Sequence, residues 1–151
     1  MVHLKALIGA GDRIMLTTLL FAALCIVLSA LYPGLFLLNL GFAGTVLGCV
    51  FLMLGIPLWF TSAVQVAMSV PRGRLITTGP FRLLLHPLYT SVGLLVMPGI
   101  GFLMKSWIWM AIGVALYLSS RLFSRQEEKN LEEMFSDEYR KYRAGVLLPW
   151  V

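Results

Sequence analysis

The stretch LYTSVGLLVMPGIGFLMKSWIWMAIGVALYLSSRLF, residues 88–123, holds two apolar arms around one polar break at Lys105-Ser106. A helix needs about 20 mostly apolar residues to cross the roughly 30 Å of bilayer hydrocarbon. With so short a break, the two arms must form a tight antiparallel hairpin. They are nearly equal in length, so residues just before 88 lie level with residues just after 123. Working outward, two further apolar runs cover residues 14–32 and 35 to about 57. The 151-residue chain is 59% hydrophobic and only 13% charged, outside the range of a soluble domain. The expected fold is an all-α integral membrane protein, a single domain over 1–151. It has four transmembrane helices (14–32, 35–57, 88–104, 106–123) and a C-terminal cytosolic helix.

The net charge of +5 excludes a nucleic-acid partner by its distribution. Residues 121–143 hold six basic and six acidic side chains and are neutral. The surplus lies at Lys5 and Arg13 (offset by Asp12), at Arg72, Arg74 and Arg82, and at Lys105. With four spans, every Lys and Arg except Lys105 falls on one side. The positive-inside rule makes that side cytoplasmic, together with both termini and the central loop. Trp107 and Trp109 beside Lys105 suit the opposite interface, and the cytoplasmic (inner) membrane is the expected location. The first run is too long for a signal-peptide core and lacks a small-residue cleavage site. Cys25 and Cys49 lie inside spans as packing residues, and no metal site is expected.

Gly44 and Gly48 form a GxxxG in the second run, a spacing that lets helix backbones approach closely in lipid. Packing within one chain is expected ahead of a homodimer seam. Pro57 should kink or end that run, although residues 58–70 stay apolar and can continue it. The loop PRGRLITTGP reads as extended chain. After residue 123 the last span runs on as a helix whose Leu131, Phe135, Tyr139 and Tyr142 share one apolar stripe. Gly145 marks its end and Trp150 is an interfacial anchor.

Pro87 suits the first turn of a helix, where its missing N–H costs nothing. The free N–H groups of that turn favour an anion such as an amino-acid carboxylate. An ordinary helix start reads the same way. The hairpin brings His86 and Tyr89 level with Arg125, Glu127 and Glu128, so two distant polar groups face one pocket.

Gly79-Pro80-Phe81-Arg82 followed by His86-Pro87-Leu88-Tyr89 resembles the signature of integral-membrane methyltransferases. These are the isoprenylcysteine carboxyl methyltransferases and the related phospholipid N-methyltransferases. Glu127-Glu128, Leu131, Phe135, Tyr139, Tyr142 and Pro149 follow in the same order, so the resemblance covers roughly residues 72–150. It implies a site for S-adenosylmethionine without a metal. His86, Pro87, Leu88, Tyr89, Glu127 and Glu128 would contact the cofactor, Glu127 through its ammonium. Arg74, Leu75, Ile76 and Phe81 would line the adenosine side. Arg82, Arg121 and Arg125 are the candidates for meeting a lipid-like or prenylated acceptor drawn from the membrane. Leu85 stands where the families often have Arg, and Ser136 where they usually have Gly.

A carboxylate acceptor is already ionised near neutral pH and needs no base, whereas a lipid amine must first lose a proton to His86 or a Glu. No other dedicated base is evident, and no catalytic residue is assigned outright. Carboxyl O-methylation of a prenylcysteine-like substrate is therefore expected ahead of phospholipid N-methylation. Two further classes compete: a nicotinamide-dependent membrane reductase, and a non-catalytic membrane interaction protein. Glu127 and Glu128 also read as ordinary members of a solvated, charge-laced helix.

Overall fold

The computed structural model describes residues 2–148, with the side chains of residues 2–10, 70 and 126 outside the description. Pro149 and Trp150, and the side chains of His3 and Lys5, lie outside the described residues. The order is α1 (Val2–Leu31), a 3₁₀ turn (Pro33–Phe36), α2 (Gly41–Ser69), a 3₁₀ turn (Val70–Arg72), and α3 (Pro80–Leu83). It continues with α4 (Pro87–Ser91), a π-helical segment (Val92–Val96), α5 (Met97–Leu103) and α6 (Ile108–Gly145). Among the described residues the regular elements are all helical, and the extended pairings are isolated bridges.

Two helices are long and apolar enough to cross a membrane, over Gly11–Leu31 and Gly41–Ser69, and Pro87–Leu103 is a shorter apolar helix. Their outer surface is apolar: Leu16, Leu20, Phe42, Met53 and Phe60 are all exposed. That is the surface a lipid solvent selects, since hydrocarbon does not drive such side chains inward. The second run differs from expectation at both ends. Its helix starts at Gly41, because residues 37–38 are recruited by the hairpin turn: Leu38 N–H donates to the Lys105 carbonyl at 2.8 Å, and Leu37 bridges Ser106. Nor does Pro57 end it; α2 runs through to Ser69. The proline removes one backbone donor, while Ser62 and Thr61 bond the carbonyls of Leu58 and Pro57 at 2.6 and 2.8 Å.

The hairpin is as tight as its two-residue break requires. Ser106 N–H reaches the Gly101 carbonyl at 2.9 Å, and Lys105 takes a φ of 53° to turn the chain. The first arm widens to a π-turn between α4 and α5, where Met97 N–H bonds the Val92 carbonyl. Pro98 lies just beyond and would clash with the carbonyl four residues earlier in a regular helix, a conflict the wider turn relieves. The two arms meet at glycine. A Cβ on Gly93 would lie 2.8 Å from the Gly113 carbonyl oxygen, and one on Gly113 would collide with the Gly93 carbonyl. Gly48 packs in the same way on Leu103 and the Gly99 carbonyl, so this glycine of the GxxxG is used within the chain. α1 packs along α6, and α2 along α5. Cys25 joins Phe36, Ile108 and Ile112 in a small core, whereas Cys49 is exposed.

α6 carries the chain from the hairpin into the charged segment without a break until Ser136, whose φ of 41° and ψ of −111° are not helical. The helix folds back at that point. In a straight helix, Glu128 and Arg143 would be about 22 Å apart along the axis at 1.5 Å per residue. Here they are 3.3 Å apart. Arg140 likewise reaches back to Glu132 at 2.9 Å.

Candidate functional site

The central loop delivers His86 through a chain of local constraints. Residues 74–77 lie outside any regular secondary structure. Gly79 then turns with a φ of 61°, and a Cβ there would lie 2.8 Å from Gln65 Nε2. After the single turn of α3, Leu84 is extended (φ −127°, ψ 143°) and bridges Leu148 in parallel. Leu85 and His86 are both buried, so an apolar side chain before the histidine suits its surroundings. Pro87 opens α4, and the His86 side chain makes no cap to that helix. The imidazole is left to face α6.

There His86 Nε2 lies 3.1 Å from Glu128 Oε1, across 42 positions of sequence. The hydrogen bond from His86 holds the Glu128 carboxyl below its ordinary range, against desolvation, with help from Arg143 and Arg121. Glu128 is thus ionised at neutral pH, and Nε2–H donates to it. Its other oxygen takes Arg143 at 3.3 Å. Glu127 is in the opposite condition. Desolvation raises its affinity for a proton, and the charge of Glu128 adds to that while His86 opposes it. Among the described residues, no hydrogen bond or ion pair engages its carboxylate. Tyr89, half-buried, interacts electrostatically with Glu127. A Cβ on Gly11 would lie 3.4 Å from the Tyr89 hydroxyl, so α1 forms one wall.

The segment after Ser136 closes another side. Tyr142 donates its hydroxyl to the Phe81 carbonyl at 2.8 Å, and Leu147 and Leu148 N–H groups bond the carbonyls of Arg82 and Leu83 at 3.3 and 3.0 Å. Burial pushes the Tyr142 hydroxyl up to about 12. Tyr139 is 1% exposed and its hydroxyl has no hydrogen-bond partner among the described residues. Burial raises its pKa as well, and the charge on Glu128 raises it further.

Beside this cluster lies a cleft of about 420 Å³ with an apolar wall of Leu118 and Leu122. Arg121, Arg125, Arg143 and Glu128 supply its charge. The structure therefore groups His86, Tyr89, Glu127 and Glu128, and places Arg121 and Arg125 in the adjoining cleft. Arg82 is exposed outside that cleft and serves the tail through its carbonyl. Pro87 is buried and Leu88 half-buried at the start of α4; Phe81 is half-buried under Tyr142. Arg74 is exposed and Leu75 and Ile76 half-buried on the central loop, away from the cleft lining. Arg143 was not foreseen. Its only trace in the sequence is its place four residues after Tyr139 on the same helix face.

Glu127, whose carboxylate has no hydrogen-bond or ion-pair partner among the described residues, and the buried Tyr139 hydroxyl of the same cluster fit a ligand bearing an ammonium and a carboxylate. That is the polar end of S-adenosylmethionine. Comparison with individual characterised proteins and with solved structures found no significant match. The sequence pattern of a family described as phospholipid methyltransferase matches residues 17–138. That stretch includes α1 from residue 17, all of α2, the His86 turn and the Glu127-Glu128 pair. The chain belongs to the phospholipid methyltransferase family and is a membrane methyltransferase.

Proposed function

We propose that the chain transfers a methyl group from S-adenosylmethionine to the polar head of a lipid-like acceptor in the membrane. The observation that carries this is the meeting of His86 with the Glu127-Glu128 pair, from opposite arms of the hairpin. The cofactor supplies an electrophilic methyl on a sulfonium. Glu127 holds its ammonium, and His86, fixed by Glu128, presents its other ring nitrogen to the ligand. Holding donor and acceptor in line supplies up to about 7–11 kcal/mol of the barrier, so positioning is most of the protein's task. Residues 74–76 and Phe81 line the adenosine side. Four spans, with both termini and the site on the cytoplasmic face, let a water-soluble donor enter from the cytosol and an acceptor enter from the bilayer.

The cleft's apolar wall and three arginines support an acceptor with an apolar body and an anionic group. A prenylcysteine-like carboxylate meets that description and needs no base. A second assignment has its own support: in a phosphatidylethanolamine-type lipid the phosphate would pair with the arginines. Glu127, whose affinity for protons is raised, would then be placed to take the amine's proton. The family description favours that lipid class. Transfer of labelled methyl to vesicles containing phosphatidylethanolamine, run beside a prenylcysteine analogue, separates the two. Labelling of neither, with the donor bound, would refute both acceptors.

A further inference from the structure

Tyr139 is the most thoroughly buried large side chain on the tail, and its hydroxyl meets no acceptor or donor among the described residues. A buried O–H without a partner carries its full desolvation penalty, and folded proteins rarely retain one without a reason. The ring packs against Tyr142, with centroids 6.1 Å apart, and Tyr142 is itself tied to the Phe81 carbonyl. The hydroxyl interacts electrostatically with Glu128, Arg143 and Glu127, so it belongs to the same cluster. Arg121 and Arg125 line the adjoining cleft, and two donors of the cluster itself are already engaged. Arg143 is committed to Glu128, and so is His86 Nε2. A zwitterionic amino-acid group entering there finds a free acceptor for its ammonium in Glu127 and needs a donor for its carboxylate.

We propose that Tyr139 is a ligand-binding residue whose hydroxyl donates a hydrogen bond to the carboxylate of the bound cofactor. This rests on the S-adenosylmethionine assignment above and adds a partner for the end of the cofactor that Glu127 does not hold. The tail beyond Ser136 then contributes directly to the site as well as covering it.

Calorimetric titration of the full chain in detergent tests this with two ligands. One is S-adenosylhomocysteine, and the other is its decarboxylated analogue, which keeps the thioether and ammonium. A hydrogen bond to a charged group corresponds to about a ten- to hundredfold change in affinity. The unmodified protein should bind the decarboxylated ligand weaker by at least about tenfold. Tyr139→Phe should lose about that factor for S-adenosylhomocysteine and nothing for the decarboxylated ligand, with thermal stability of the unliganded protein unchanged or raised. Equal affinity of the unmodified protein for both ligands would overturn the proposal without calling on any variant. So would a Tyr139→Phe loss that is the same for both ligands, or no loss at all. If the unmodified protein does not bind S-adenosylhomocysteine, the cofactor assignment falls, and this proposal with it.

Discussion

The hairpin arms meet backbone to backbone at Gly93 and Gly113, whereas the tail after Ser136 is held on the central loop by the Tyr142, Leu147 and Leu148 hydrogen bonds and the Arg143–Glu128 pair. Both bring residues distant in sequence to the same cluster. The first contact leaves no room for a methyl group, and the second leaves much of its surface in water. Arg143 is half exposed and Gly145 has open space around it. The difference separates a scaffold that sets the level of His86 against α6 from a cover that completes the pocket. A rigid seam tolerates no substitution, while a latch built of single hydrogen bonds can open and reclose.

Substitution at the seam should have the largest effect. Gly113→Val places side-chain atoms on the Gly93 carbonyl and should destabilise the protein by about 3 kcal/mol, since overpacked cores lose 1–3 kcal/mol or more. Gly145→Ala should change stability by less than about 0.5 kcal/mol. Thermal unfolding of the two variants in one detergent checks the contrast, and similar shifts would erase it. Next comes the latch: Tyr142→Phe strands the Phe81 carbonyl and should weaken tail docking by about 1 kcal/mol. Limited proteolysis of the tail should then speed up while the helices resist as before. Cleavage at the unmodified rate would mean that the tail is held by other contacts. A change of opposite sign should come from Ser136. Ser136 has a backbone conformation that suits glycine, so Ser136→Gly should stabilise the folded-back tail by about 1 kcal/mol, where Ser136→Ala should not. Slower proteolysis of the glycine variant alone is the expected readout, and equal rates would show that the turn is unstrained.

Much of this comparison was legible in the residues. Apolar runs and the break at Lys105-Ser106 fix a hairpin of equal arms, and equal arms put His86 level with Glu128. The start of α4 at Pro87 follows from proline's missing donor. The π-turn was not legible, because it arises from Pro98 acting on a carbonyl several residues away within a helix already committed by its apolar length. Nor was the second run's late start, which depends on residues 37–38 pairing with a turn some seventy positions later. The fold-back at Ser136 is the costliest omission. Serine is no strong break signal, and without that bend Arg143 cannot be seen as a neighbour of Glu128. For the site, residue types were legible and commitments were not: sequence names Glu127 and Glu128 together, and only packing assigns one to His86 and leaves the other without a hydrogen-bond or ion-pair partner among the described residues.

We propose that Glu127, without a hydrogen-bond or ion-pair partner among the described residues, holds the cofactor's ammonium. Calorimetric titration of the unmodified protein and Glu127→Gln with S-adenosylhomocysteine, from pH 8 down to about 5, tests it most directly. Because desolvation lifts the Glu127 carboxyl above the ordinary glutamate range, protonation should set in at a higher pH than for an exposed glutamate. The account predicts saturable binding near one ligand per chain that weakens as pH falls. Glu127→Gln should bind at least about tenfold more weakly, and without that pH dependence. Binding of equal strength and equal pH dependence in the two proteins would contradict it.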